Sequence, residues 1–258
     1  MRLEWFYYFK EFFCVHNGED AGFVEDLEDH NTSIFYAFDL SAAATTAKVY
    51  FFPKLRARAR NQSNLETLSQ AIHEAPYSTE DKLKAWSIFH DFSSEIGNEA
   101  LEHEMLSIDF IDPLESRLKL YFRSRETTFN SVINIMTLGG RIRNSKISQG
   151  LRDLRYLWNA LFEVDIPPHQ PLGEVSHRTA GILYNVEFKL GDQFPVAKIY
   201  LPVRHYSRSD EVIIRALDDY FQYRHRGKYM VDYIKTMSTL LQVSTLNRFT
   251  NVETNSFS

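Results

Sequence analysis

A repeat constrains this chain more than any other feature. Three segments carry Lys-x-Tyr followed by an apolar residue: Lys48-Val49-Tyr50-Phe51, Lys119-Leu120-Tyr121-Phe122 and Lys198-Ile199-Tyr200-Leu201. Lys48 to Lys119 is 71 residues and Lys119 to Lys198 is 79. A strand-like run precedes each segment, at 34–40, 106–111 and 181–190. Asp112-Pro113 and Gly191-Asp192 are turn signals for the second and third pairs, and a Ser/Ala/Thr stretch joins the first. Two helical patterns follow each pair: 64–74 and 80–95, then 129–138 and 147–162, then 210–225 and 229–241. Ser63 and Glu66 have capping-box spacing, Ser78 or Thr79 is a candidate cap for the next helix, and Gly139-Gly140 and Gly227 are stops. The predicted unit is strand–strand–helix–helix, used three times.

The strands alternate. Arg117, Lys119, Tyr121 and Arg123 share one face, and Leu118, Leu120 and Phe122 share the other. Lys48 with Tyr50, and Lys198 with Tyr200, fall on the equivalent face of their strands. The apolar faces suit packing under the helices, so the polar faces point away from them. One such face alone is an ordinary solvated sheet surface. Three at matched positions predict a sheet with helices on one face that curls toward a barrel, its lumen lined by Lys, Arg and Tyr. The predicted fold class is therefore α/β with antiparallel hairpins near 34–53, 106–123 and 181–204. It forms a single domain over 1–258 that ends in a polar tail at 242–258.

A lumen of that kind binds an anion with an apolar or cationic attachment. Lys and Arg donate charge-assisted hydrogen bonds to phosphate oxygens, and Tyr rings offer negative faces to a carbocation. An allylic diphosphate needs both. The acidic run Glu25-Asp26-Leu27-Glu28-Asp29 is the nearest approach to a metal-binding motif, and it reads as a solvated charged stretch, so no metal site is predicted. A cation clamp makes the chemistry metal-independent: no cofactor is required and Mg²⁺ is not expected to be essential.

Composition weighs against other classes. The net charge of -5 argues against a nucleic-acid or membrane-surface role. Cys14 is the only cysteine, so no disulfide forms within the chain, which points to a reducing, cytoplasmic setting. No run of 18 apolar residues marks a membrane span. The start, Glu4 with Trp5-Phe6-Tyr7-Tyr8-Phe9, reads as a helix inside a fold rather than a signal peptide. Trp86 and Trp158 read as core, His90 and His103 lack metal-ligand partners, and Cys14 reads as buried filler.

Several stretches together resemble one family. Phe38-Asp39-Leu40 followed by Lys48-Val49-Tyr50-Phe51-Phe52-Pro53 resembles the second hairpin of the dimethylallyltryptophan synthase family of fungal-type aromatic prenyltransferases. Leu106-Ser107-Ile108-Asp109 with Ser116-Arg117-Leu118-Lys119-Leu120-Tyr121 resembles its third, and Ile135-Met136-Thr137-Leu138-Gly139-Gly140-Arg141 the segment after it. His177-Arg178-Thr179-Ala180-Gly181 with Lys198-Ile199-Tyr200-Leu201-Pro202-Val203-Arg204-His205-Tyr206 is similar to the fourth. The resemblance implies the ABBA fold, an antiparallel ten-stranded barrel of five units with helices outside, of which about three are present. It implies that Lys48, Arg117, Lys119 and Lys198 bind diphosphate, and that Tyr50, Tyr121 and Tyr200 shield the allyl cation. Some members carry Gln at the place of Lys198. The implied activity is transfer of a dimethylallyl group to an aromatic, usually indole, ring in alkaloid metabolism. The implied partners are an allylic diphosphate and an aromatic acceptor.

The family's acidic acceptor-binding residue belongs to its first unit, so the catalytic residue is unknown in this chain. A truncated chain of low activity is the expectation, and open sheet edges offer a route to self-association. Two other classes remain open. One is a non-catalytic anion- or prenyl-diphosphate-binding fragment. The other is a single-stranded nucleic-acid binder, which would need a strand–helix–strand order and a basic surface.

Overall fold

The computed structural model describes residues 3–14, 32–40, 45–97 and 100–241. It comprises two compact units: Met1–Arg143 with Arg178–Leu201, and Asn144–His177 with Pro202–Ser258. The first holds a six-stranded sheet in the order β1 (Ile34–Leu40), β2 (Thr45–Phe51), β3 (Glu102–Asp109), β4 (Leu118–Ser124), β5 (Ile182–Phe188) and β6 (Val196–Tyr200). Every neighbouring pair is antiparallel. The fold class is thus α/β, and the three Lys-x-Tyr segments lie on β2, β4 and β6, the second strand of each hairpin.

Helices α1 (Glu4–Phe13), α2 (Lys54–Arg60), α3 (Asn64–His73), α4 (Lys84–Ile96) and α5 (Phe129–Met136) belong to the same unit. The apolar strand face carries Val49, Phe51, Leu106, Leu118, Leu120, Phe122, Tyr184 and Val186, all fully buried. Phe9 and Phe13 of α1 pack on Phe51 with ring centroids 5.7 and 5.6 Å apart, and Phe89 of α4 meets Phe122 at 5.2 Å. Each such ring removes on the order of 150–250 Å² from water. Trp5 and Trp86 are buried in this core, and Trp158 is buried in the second unit.

Several boundaries differ from the sequence reading, each for a local reason. β3 begins at Glu102, not Leu106, because a bulge between His103 and Met105 lets Glu102 pair with Arg123. The expected helix over 80–95 is split into a 3₁₀ turn, Glu80–Lys82, and α4. The Lys82 carbonyl accepts from Gly191 N–H at 2.9 Å and so is diverted from the helical ladder. Thr79 precedes the turn without a side-chain cap bond. The capping box at Ser63 and Glu66 forms as expected, with Ser63 N–H donating to Glu66 Oε2 at 2.7 Å. α2, not anticipated, follows Pro53, whose missing N–H suits a helix start. The third hairpin stops at Tyr200, since Pro202 cannot extend a ladder and its carbonyl instead accepts from His205 and Tyr206.

The second unit contains α6 (Ser145–Phe162), α7 (Val203–Tyr206), α8 (Asp210–Tyr223) and α9 (Lys228–Leu241). Asn144 and Ser209 cap α6 and α8 by accepting from Ile147 and Val212 N–H. Ile214, Met230 and Ile234 form a small core, with Leu217, Phe221 and Met237 packed against it. Arg224 bonds Asp153 at 2.8 Å, and Tyr156 stacks on Tyr223 at 4.6 Å. The acidic run at 25–29 and the tail at 242–258 lie outside the described residues.

Candidate functional site

Strand pleating puts the other sheet face to a different use. The register aligns Ala37 with Lys48 and Lys48 with Asp109. It aligns Phe35 with Tyr50, Tyr50 with Ser107, Ser107 with Lys119 and Lys119 with Glu187. One step further along β4, Met105, Tyr121, Asn185 and Lys198 form the next row. Every residue in these rows projects on the face opposite the helical core.

At one end of this face four cations and three carboxylates interlock. Lys119 Nζ lies 2.5 Å from Asp109 Oδ1, and Arg117 Nε lies 2.8 Å from Asp109 Oδ2. Arg117 Nη1 reaches Glu187 at 3.4 Å, and Lys198 Nζ reaches the same carboxylate at 2.8 Å. Lys48 is paired with Asp39. Ser116 Oγ accepts from Asp109 N–H at 3.1 Å and donates to its carbonyl at 3.0 Å, which fixes that residue's backbone. Burial alone would raise the Asp109 carboxyl. Hydrogen bonds from Arg117 and Lys119, with their charges, outweigh it and hold the carboxyl below the usual range. The hydrogen bond to Asp39 raises the Lys48 ammonium. The cluster carries one positive charge in excess.

Beside it runs a line of rings. Phe35 and Tyr50 have centroids 4.8 Å apart, Tyr50 and Tyr121 5.8 Å, and Tyr121 and Tyr200 6.1 Å. These rings sit on β1, β2, β4 and β6. They touch across β3 and β5 because those strands present the short side chains Ser107 and Asn185 between them. Ser107 Oγ and Asn185 Oδ1 are buried and have no hydrogen-bond partner among the described residues. Burial, then the neighbouring Tyr200 and Tyr50, push the Tyr121 phenol upward, so it stays a neutral donor at physiological pH.

The face ends at a cavity of ≈ 430 Å³ whose walls include Phe52, Met105, Glu104 and Arg123. Arg123 bonds Glu104 at 2.8 Å and donates to the Thr179 carbonyl at 3.0 Å.

All seven residues singled out from sequence therefore lie on one face, in two groups: Lys48, Arg117, Lys119 and Lys198, then Tyr50, Tyr121 and Tyr200. They differ in exposure: the Lys119 side chain is 4% exposed, while that of Lys198, on edge strand β6, is 45% exposed. The carboxylates Asp39, Asp109 and Glu187 were not anticipated. For two of them the signal was the same alternation, since Asp109 follows Ser107 by two residues and Glu187 follows Asn185 by two. His103 is buried against Ser93 Oγ at 2.8 Å, and Cys14 is only half-buried. No helix among the described residues is long and apolar enough to cross a membrane.

Known proteins resemble this chain in sequence and fold. A family model described as tryptophan dimethylallyltransferase matches residues 1–236. The chain is 34% identical to 4-O-dimethylallyl-L-tyrosine synthase of Claviceps purpurea over 226 residues, covering 86% of this chain and 50% of that protein. It is 34% identical to 7-dimethylallyltryptophan synthase of Aspergillus fumigatus over 230 residues, covering 88% and 48%. The chain thus spans about half the length of these curated relatives. Among solved structures, NotF in complex with brevianamide F and DMSPP is similar with a TM-score of 0.73 at 26% identity, over 91% of this chain and 56% of that one. AnaPT from Neosartorya fischeri matches in fold with a TM-score of 0.75 at 23% identity, over 92% and 55%.

Proposed function

The chain belongs to the tryptophan dimethylallyltransferase family, and from that premise we propose that its polar sheet face holds the allylic diphosphate of an aromatic prenyl transfer. The observation that carries this reading is the order of groups along the face. Lys119 on β4, with Arg117 just before the strand, is followed one same-face step on by Tyr121. That step is about 6.8 Å, matching a diphosphate at one end of a ligand and an allyl group at the other. The solved structure of NotF is a complex with brevianamide F and DMSPP.

The chemistry follows from the geometry. Arg117, Lys119, Lys48 and Lys198 donate to the diphosphate oxygens and stabilise the charge that builds as the allylic C–O bond breaks. The bonding pair leaves with the diphosphate. Tyr50, Tyr121 and Tyr200 present ring faces to the allyl cation, each contributing about 0.5–2 kcal/mol, and keep water from it. Ring electrons of an aromatic acceptor, an indole in this reading, form the new C–C bond, and the ring then loses a proton. Cations do the work a divalent metal does elsewhere, so the reading needs no Mg²⁺.

Calorimetric titration of the chain with inorganic pyrophosphate, in EDTA and low salt, tests the site. Wild type is expected to bind. Lys119→Ala is expected to weaken binding by about 1.5–3 kcal/mol, the range for hydrogen bonds to charged groups. Equal affinity of the two proteins, or binding that appears only with added Mg²⁺, refutes the assignment.

A further inference from the structure

The clamp contains a carboxylate that the proposed reaction does not use. Glu187 accepts from Arg117 Nη1 at 3.4 Å and from Lys198 Nζ at 2.8 Å, and its Cα partner across the ladder is Lys119. Its side chain is 12% exposed, and it stands on β5 between β4, which carries Lys119, and β6, which carries Lys198. Asp109 does comparable work for Lys119 and Arg117, but at 6% exposure it also completes a buried ion pair, whose loss would leave Lys119 uncompensated. Glu187 bonds the more exposed cations, Arg117 at 37% and Lys198 at 45%.

Resting on the diphosphate reading above, we propose that Glu187 is a positioning residue that limits how tightly the clamp holds diphosphate. Before ligand enters, it fixes Arg117 and Lys198 toward each other across β4, β5 and β6. When diphosphate arrives, these two donors turn from a carboxylate to phosphate oxygens. Glu187 remains within the same cluster as a repelling charge. A free diphosphate, released after the C–O bond breaks, carries more negative charge than the esterified one. Coulomb repulsion scales with ligand charge, so Glu187 opposes the product more strongly than the substrate. The sheet thus carries a built-in aid to product release.

Glu187→Gln keeps the shape and one carbonyl acceptor while removing the charge. Calorimetry with inorganic pyrophosphate should then show affinity rising about 10-fold, from the loss of one unit charge near a multivalent anion. The gain with orthophosphate should be smaller, because that anion carries less charge. Glu187→Asp, which restores the charge, should return pyrophosphate affinity toward wild type. A purely structural role would weaken both anions alike and would not separate Gln from Asp. Unchanged or weaker pyrophosphate binding by Glu187→Gln overturns the inference. If Lys119→Ala still weakens binding in that case, the diphosphate reading stands and only the role of Glu187 falls. If wild type binds no pyrophosphate, both fall together.

Discussion

At the scale of single residues, burial decides what each polar group does. His103 lies on the core face between Phe89 and Phe122, with Ser93 as its hydrogen-bond partner. Burial, helped by the charge of His90, pushes its imidazole down to about 4. The unfolded chain takes up that proton near pH 6.5, the folded chain only near 4. The stabilisation is therefore complete above pH 6.5 and is lost as pH falls through this window, at roughly 3 kcal/mol for the full shift. Urea midpoints at pH 7 and pH 4.5 should fall further apart in wild type than in His103→Gln. Equal pH sensitivity of the two proteins would assign the acid lability to other groups. Burial lowers the Lys119 ammonium as well, and the Asp109 carboxylate, 2.5 Å away, offsets part of that shift. That Lys119 faces away from the core was legible from the parity of β4. That it is nearly sealed from water was not, because the groups that cover it come from other strands.

At the scale of elements, backbone geometry sets where strands begin and end. Gly181 leads into β5 with φ +82°, and a Cβ there would lie 2.4 Å from the carbonyl oxygen of Ser124, the last residue of β4. Gly181→Ala should cost about 1–3 kcal/mol, lowering the denaturation midpoint of the sheet unit. Gly150, inside α6, has open space where a Cβ would sit. Gly150→Ala should stabilise its own unit by about 0.5–1 kcal/mol. Thermal unfolding of both variants checks the contrast, and a shift of the same sign in both would contradict it. Turn residues and the Ser63–Glu66 box were readable because they act over three or four positions. The bulge at His103 and the break at Leu83 were not, because each depends on a partner far along the chain: Arg123 in one case and Gly191 in the other.

At the scale of the whole molecule, the six-stranded sheet has β1 and β6 at its edges, each paired on one side among the described residues. β1 exposes Phe35, Tyr36, Phe38 and Leu40, which invites association. The face is also only partly covered, with Tyr200 44% exposed. Water that reaches it raises the effective dielectric around the lysines and competes with the aromatic ring for the allyl cation. The 258-residue chain should therefore bind pyrophosphate yet give little or no prenylated product from dimethylallyl diphosphate and tryptophan. Chromatography of the reaction, with the oligomeric state measured on the same sample, checks this. Robust turnover by a monomer would show that six strands suffice. Turnover confined to an oligomer would show that a second copy completes the site.

Local rules alone determined the strand alternation, the hairpin turns and the shared polar face, since each is written in spacings of two to four residues, whereas the repeat recurs over 71 and 79 residues and the roles of the site residues came from the resemblance. Resemblance across the chain supplied the family. Only the tertiary structure decided which carboxylates enter the cation cluster, how the four rings join into one line across intervening strands, and how deeply each lysine is buried. The line of rings and the Arg117–Glu187 contact depend on register between segments some 70 residues apart. A shift of one residue in that register would send every side chain of a strand to the other face. Burial, and with it charge state, is a property of the neighbours that such pairing brings in, and no window of local sequence contains them.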